Sequence, residues 1–328
     1  MIGAILGDFV GSQFDYRPIK SKDFELVVKR SHFSDDSVMT IAVAGALTEA
    51  LTNEDGTLKD GPVDYNLVAQ RARACMRKLG RIYPQAGYGS SFAVWLNQND
   101  EAAYGSYGNG AGMRVSSCGF AARSLDEARD LAYAVTVVSH NHIEGLRGAQ
   151  ATAEAVYLAR AQLTQDEIKA YFEATYCDLG FTLDEIRPDF TFDSSCQGTV
   201  PYALRGFYEA DSLEDAIRNV ISLGGDSDTL GATVGGMAAA YFGVPLSLRT
   251  MILEGLDDTL RSIIKAAEEC FTQRAQGVAP TQELNPQFSA FEQAVRLNPE
   301  KVRAEVAQVL ADRDAAAQRY GHAPAGLA

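Results

Sequence analysis

Leu223-Gly224-Gly225-Asp226-Ser227-Asp228-Thr229 sets two carboxylates and a hydroxyl on four consecutive residues, directly before a long uncharged run. A second such group, Phe33-Ser34-Asp35-Asp36-Ser37, also opens an apolar helical segment. Each group alone reads as a helix N-cap, because Asp and Ser favour that position. Read together they are two halves of one site. Four carboxylates in one pocket repel one another, so a shared proton or bound cations must neutralise them. Oxygen ligands without nearby His or Cys suit Mg²⁺, Mn²⁺ or Ca²⁺ better than zinc. The working expectation is a two-metal hydrolytic centre.

Both groups precede helices, and helical spacing runs through the rest of the chain. Ile2, Ala4, Ile5, Leu6, Phe9 and Val10 recur with helical period, while Gly3, Gly7 and Gly11 fall four apart on one face. Asp8 lies inside this apolar helix. A buried carboxylate without a partner costs several kcal/mol, so Asp8 either supports the site or accepts a helix–helix hydrogen bond; the latter is the reading taken. Further helices are expected from Ser34 to Leu51, Tyr65 to Leu79, Ile143 to Gln162, Leu213 to Leu223 and Thr259 to Phe271. Ser124-x-x-Glu127 and Thr164-x-x-Glu167 read as capping boxes opening two more. No apolar/polar alternation and no strand–helix alternation is present, so the fold class is all-α, with ten or more helices.

The segment from Tyr16 to Ser31 has no clear period and reads as a surface loop. Gly80 to Gly112 is rich in Gly and Tyr, which suggests backbone amides offered to a ligand, though ordinary turns also produce such runs. The organisation expected is a main domain over 1–272, a Pro/Gln/Gly linker over 273–287 and a helical extension over 288–328.

Composition narrows the partners. The chain has 328 residues and a formal net charge of −14, with no basic run, which disfavours nucleic acid and anionic membrane surfaces. Five widely spaced cysteines form no Cys-x-x-Cys, so neither a disulfide framework nor a zinc knuckle is indicated. Thr229 to Arg249 is uncharged until its last residue but contains Gly243 and Pro245, and reads as a buried helix. The amino terminus has no basic n-region, and cytoplasmic residence is the default.

On these stretches the chain resembles the ADP-ribosylglycohydrolase family from Met1 to about Phe271. The matching motifs, in order, are Gly3-Ala4-Ile5-Leu6-Gly7-Asp8-Phe9-Val10-Gly11-Ser12, Phe33-Ser34-Asp35-Asp36-Ser37, Tyr107-Gly108-Asn109-Gly110 with Met113-Arg114, Ser139-His140-Asn141-His142 with Glu144-Gly145, and Gly224 to Thr229. The resemblance implies a compact orthogonal helical bundle with a di-metal cleft, which hydrolyses the bond between ADP-ribose and a modified acceptor, arginine being favoured. It implies two Mg²⁺ ions, replaceable by Mn²⁺, held by Ser34, Asp35, Asp36, Asp226, Asp228 and Thr229, with Asp15, Asp35 and Asp36 as catalytic residues. It also places substrate on Tyr107, Gly108, Asn109, Gly110, Met113, Arg114 and His140. The glycine loop and Arg114 are expected to receive the pyrophosphate, and Tyr104 or Tyr107 to stack on adenine. His140 either contacts phosphate or ribose or simply ends a helix, and His142 is expected to satisfy local backbone.

The chain departs from the family pattern at three places. Asp15 stands where Glu is usual, Ser34 and Ser37 where Thr is usual, and Ile143 where Pro is common. Two other readings remain open on the same residues: a binding or structural protein on this fold, or a two-metal phosphoesterase.

Overall fold

The computed structural model describes residues 1–15, 17–99, 101–276 and 284–320; part of the expected linker and the tail from Gly321, with His322, lie outside these. The described residues fold into sixteen α-helices: α1 (Ile2–Gly11), α2 (Asp35–Leu51), α3 (Tyr65–Ile82), α4 (Ser90–Asn97), α5 (Ser116–Ala121), α6 (Leu125–Thr136), α7 (Ile143–Arg160), α8 (Gln165–Thr175), α9 (Leu183–Ile186), α10 (Val200–Tyr208), α11 (Leu213–Ile221), α12 (Ser227–Phe242), α13 (Leu246–Gly255), α14 (Asp258–Ala275), α15 (Ala290–Ala294) and α16 (Pro299–Tyr320). No strand occurs among the described residues, only isolated bridges. The fold is all-α, and no described helix is long and apolar enough to cross a membrane.

The helix starts are set by short polar side chains. Ser34 accepts from Asp36 N–H at 3.1 Å, Ser212 from Asp215 N–H at 3.1 Å and Asp257 from Leu260 N–H at 3.0 Å. Each satisfies an N–H that the first turn leaves unpaired. Thr164 and Glu167 form the full reciprocal box. Ser124 makes only its own half, accepting from Glu127 N–H at 3.1 Å. Glu127 turns instead to Arg123 N–H and to the Arg274 guanidinium of α14, because a buried cation offers a stronger bond than a backbone amide.

At the centre, α1 lies against α12 with no side chains between their backbones. A Cβ on Gly7 would stand 1.9 Å from Gly231 O, and one on Gly3 would stand 2.2 Å from Gly235 O. Gly231 and Gly235 face the carbonyls of Gly7 and Gly3 in return. Every residue of α1 is buried. Around this pair pack α7, α10 and α11, while α2 lies between α3 and α14. The carboxyl-terminal helices close over α6, α7 and α8. Arg160 Nε donates to Val295 O at 2.9 Å, Tyr157 donates to Glu305 at 3.0 Å, and Arg303 pairs with Glu167 at 2.7 Å.

Gly7→Ala is expected to cost about 3 kcal/mol or more in urea unfolding, since the added methyl meets backbone that cannot rotate away. Gly45→Ala, in the middle of α2, meets only the movable Ile263 Cγ2 at 3.1 Å. Its effect is expected to stay within about 1 kcal/mol.

Candidate active site

Asp35 and Asp36 open α2, while Asp226 caps α12 by position and Asp228 lies in its first turn. All four line one cleft of about 590 Å³, with Thr229, the glycine loop at Gly108–Gly110, Arg114 and His140. The two acidic groups touch directly: Thr229 Oγ1 donates to Asp36 Oδ2 at 3.3 Å. Ser34 Oγ lies 3.3 Å from the same oxygen. Capping and site-building fall on the same residues, because a helix amino terminus both needs an oxygen acceptor and aims its first-turn side chains outward.

Each acid is held from behind. Asp35 N–H donates to Ala86 O at 2.7 Å, and Gly87, at φ +106°, passes beside Asp35 Oδ1 without a side chain. Asp226 makes no cap bond; its Oδ2 accepts from Asn109 Nδ2 at 2.8 Å, and Asn109 is held in turn by Thr199 Oγ1 at 3.0 Å. Asp228 Oδ1 accepts from Thr229 N–H at 2.8 Å. Oxygens of Asp8, Asp36 and Asp228 lie within 4.8 Å of one another. Asp8 Oδ1 and Asp36 Oδ1 are buried and have no hydrogen-bond partner among the described residues. An all-oxygen donor set with orphaned buried carboxylate atoms fits a hard divalent cation.

The electrostatics follow from this crowding. Burial, then the charge of Asp228, pushes the Asp8 carboxyl up to about 6, Asp15 and Asp35 to about 7 and about 8, and Asp226 to about 8. Asp36 moves well above the usual carboxylate range for the same reasons. Asp15 sits half-buried in the turn after α1, and its Oδ1 has no partner among the described residues. It does not line the cleft wall with the others, but it is near enough to feel Asp228 and Asp8.

The other candidate residues take different positions. Asn109 and Gly110 lie in a single 3₁₀ turn, and a Cβ on Gly110 would meet His140 Nε2 at 3.2 Å. Arg114 is wholly buried. It donates to Ser139 Oγ at 2.9 Å and approaches His140 Nδ1 at 3.3 Å, with its carbon 5.5 Å above the Phe92 ring. Its Nε and Nη1 have no partner among the described residues, and burial lowers its pKa to about 10, so it stays charged at neutral pH. Arginine can only donate, so His140 Nδ1 must accept and Nε2 carries the hydrogen, facing the glycine loop. Burial and Arg114 hold His140 well below its ordinary pKa, and it is neutral. His142 caps α7, accepting from Glu144 N–H at 3.2 Å. Tyr104 packs edge-on to His140, Met113 Sδ lies 3.9 Å from Thr229 Oγ1, and Tyr107 is 52% exposed at the rim.

One wall had no signal in the sequence. Phe192 and Ser194 line the cleft, and Ser194 O accepts Asn109 N–H at 2.8 Å while Tyr107 O accepts Cys196 N–H at 2.9 Å. This strap makes one rung against the glycine loop, too short to leave a period. Phe92, on α4 within the stretch read as rich in Gly and Tyr, was not singled out, and its place under Arg114 depends on the tertiary fold.

The chain matches the family model described as ADP-ribosylglycohydrolase over residues 1–280. It is 25% identical to ADP-ribosylhydrolase ARH3 of Mus musculus, covering 79% of this chain and 87% of that protein. To ADP-ribosylhydrolase ARH3 of Homo sapiens it is 24% identical, covering 74% of this chain and 84% of that protein. A solved structure described as an ADP-ribosylglycohydrolase-related protein complex superposes with a TM-score of 0.54 at 22% identity, over 83% of this chain and 97% of that one, a likeness of fold.

The raised carboxyls fix the sign of a pH effect. Each binds a proton more readily in the folded chain than at its ordinary value of 3.8, so their contribution is fully present below about pH 4 and is lost as pH rises toward about 8. The melting temperature in EDTA is therefore expected to fall between about pH 5 and about pH 8. Millimolar Mg²⁺ or Mn²⁺ is expected to restore it; a melting profile indifferent to the cation would contradict the cation fit.

Proposed function

The chain belongs to the ADP-ribosylglycohydrolase family, and from that premise we propose that it hydrolyses the glycosidic bond between ADP-ribose and an arginine side chain, reversing ADP-ribosylation. The observation carrying this reading is the meeting of two sequence-distant acidic groups in one cleft beside a buried guanidinium whose Nε and Nη1 have no partner among the described residues. On this proposal Ser34, Asp35, Asp36, Asp226, Asp228 and Thr229 hold two Mg²⁺ ions, with Mn²⁺ able to substitute. Bound Mg²⁺ supplies Lewis-acid polarisation and a lowered pKa for coordinated water.

The chain's own residues supply the rest. Arg114 and the amides around Gly108–Gly110 take the pyrophosphate, with the neutral His140 Nε2–H as an additional donor to a phosphate or ribose oxygen. Tyr107 offers its exposed face at the rim to the adenine. Asp35, whose Oδ1 lies open beside Gly87, accepts a hydrogen bond from the attacking water and orients it. Asp15 and Asp36 present carboxylates to the positive charge that grows on the ribose in an oxocarbenium-like transition state.

The acceptor assignment follows from charge. Asp15 stands close enough to the acidic cluster to feel Asp228 and Asp8, and its Oδ1 has no partner among the described residues, so it offers a carboxylate to a guanidinium acceptor. A shorter Asp in place of Glu leaves room for that planar group.

Incubation with ADP-ribosyl-arginine and ADP-ribosyl-serine peptides, with product identified by chromatography and mass, tests this reading. Intact ADP-ribose is expected from the arginine peptide, with loss of activity in EDTA. Asp35→Ala and Asp228→Ala are expected to lower kcat/KM by about 10³-fold or more. Release of AMP would instead indicate a phosphoesterase, and faster turnover of the serine peptide would overturn the acceptor assignment.

A further inference from the structure

Asp8 lies outside both acidic motifs; it sits on α1, bonds to the start of α2 and has a carboxylate oxygen within 4.8 Å of one on Asp228 of α12. One oxygen does structural work: Asp8 Oδ2 accepts from Ser34 N–H at 2.9 Å, from Ser37 N–H at 3.0 Å and from the Ser37 hydroxyl. These bonds seat the amino terminus of α2 on α1. The flanking glycines fix the other direction, since Gly7 lies on Gly231 and a Cβ on Gly11 would stand 2.4 Å from Asp228 Cα. The second oxygen, Oδ1, is buried and has no partner among the described residues, as is true of Asp36 Oδ1. A carboxylate that only capped α2 would have no reason to keep an unpartnered buried oxygen and to lie within 4.8 Å of two other acids, where its charge opposes theirs.

We propose that Asp8 is a positioning residue of the cation site, its carboxylate fixing the α2 acids against Asp228 and adding its charge to a site with Asp36 and Asp228 for a hard divalent cation. The proposal rests on the cation-dependent reading above and extends it to a residue in α1. Outer carboxylates of this kind typically contribute about 10- to 100-fold to metal affinity.

Asp8→Asn keeps an oxygen for the Ser34 and Ser37 amides but removes the charge. Mn²⁺ binding, followed by calorimetry or by the spin resonance of free Mn²⁺, is expected to weaken about 10- to 100-fold. In EDTA the variant is expected to melt no lower than the wild type, because a buried repulsion is gone. Unchanged Mn²⁺ affinity, or a lower melting temperature with affinity retained, would overturn the proposal and leave Asp8 a cap alone. If Asp8→Asn does not fold, Ser37→Ala removes one bond that aims the carboxylate; at least threefold weaker Mn²⁺ binding is expected, and unchanged binding overturns the proposal. A wild-type protein that binds no Mn²⁺ sinks the cation reading itself, which separates that failure from this one.

Discussion

The close approach of α1 and α12 governs where everything else can stand. Two helices normally keep about 8–10 Å between axes because side chains fill the gap. Here glycines at four-residue spacing on α1 remove that gap, and Gly231 and Gly235 answer them on α12. The backbones then register on each other within tenths of an ångström, since any Cβ at these positions meets a carbonyl. That register places Asp8 beside Asp228, and the bonds from Asp8 to Ser34 and Ser37 bring α2 into the same frame. Acids separated by nearly the length of the domain become neighbours through one apolar contact and one buried carboxylate.

Such an arrangement opposes folding. Each buried ion carries a desolvation penalty of several kcal/mol, and mutual repulsion adds to it. The raised carboxyl pKa values express that cost, because protonation relieves it. What offsets it is the surrounding apolar core, which includes all of α1 and nearly all of α12, together with rigid backbone and amide donors behind each acid. The site is therefore pre-organised, its electrostatic strain available to whatever cation or cationic group enters.

Much of this was legible in the chain. Helical period, capping residues and the absence of alternation gave the all-α class and the positions of the long helices. The two Asp/Ser groups could be paired because each opened a helix. Short elements were harder. Helices α5 and α9 span six and four residues, too few turns to display a stripe. The capping box at Ser124 was half right, because sequence spacing cannot see Arg274 arriving from α14 to take the glutamate. Asp8 was read as a helix–helix acceptor. It does accept such bonds, but its second oxygen points to a consequence visible only once three helices are assembled.

The cleft divides into a floor and walls made by different physics. The floor is helix termini locked by backbone contact, and its acids have little freedom. The walls are turns, chiefly the glycine loop tied to the Ser194 strap; near them runs the Asp15 loop, whose continuation is fastened by Lys20 to Phe190 O, by Arg218 to Phe24 O and by Gln13 to Leu26 O. These are side-chain-to-carbonyl bonds, each worth about 1–3 kcal/mol, rather than a packed backbone contact. Changes of sequence there alter the shape of the mouth at small cost, whereas changes in the floor disturb the α1–α12 register. The departure at Asp15 falls in this adjustable part, and the motif matches in α1, α2 and α12 fall in the fixed part. On the proposed reading, discrimination among acceptors is a property of the loop that carries Asp15, while the attack on the glycosidic bond belongs to the helix ends.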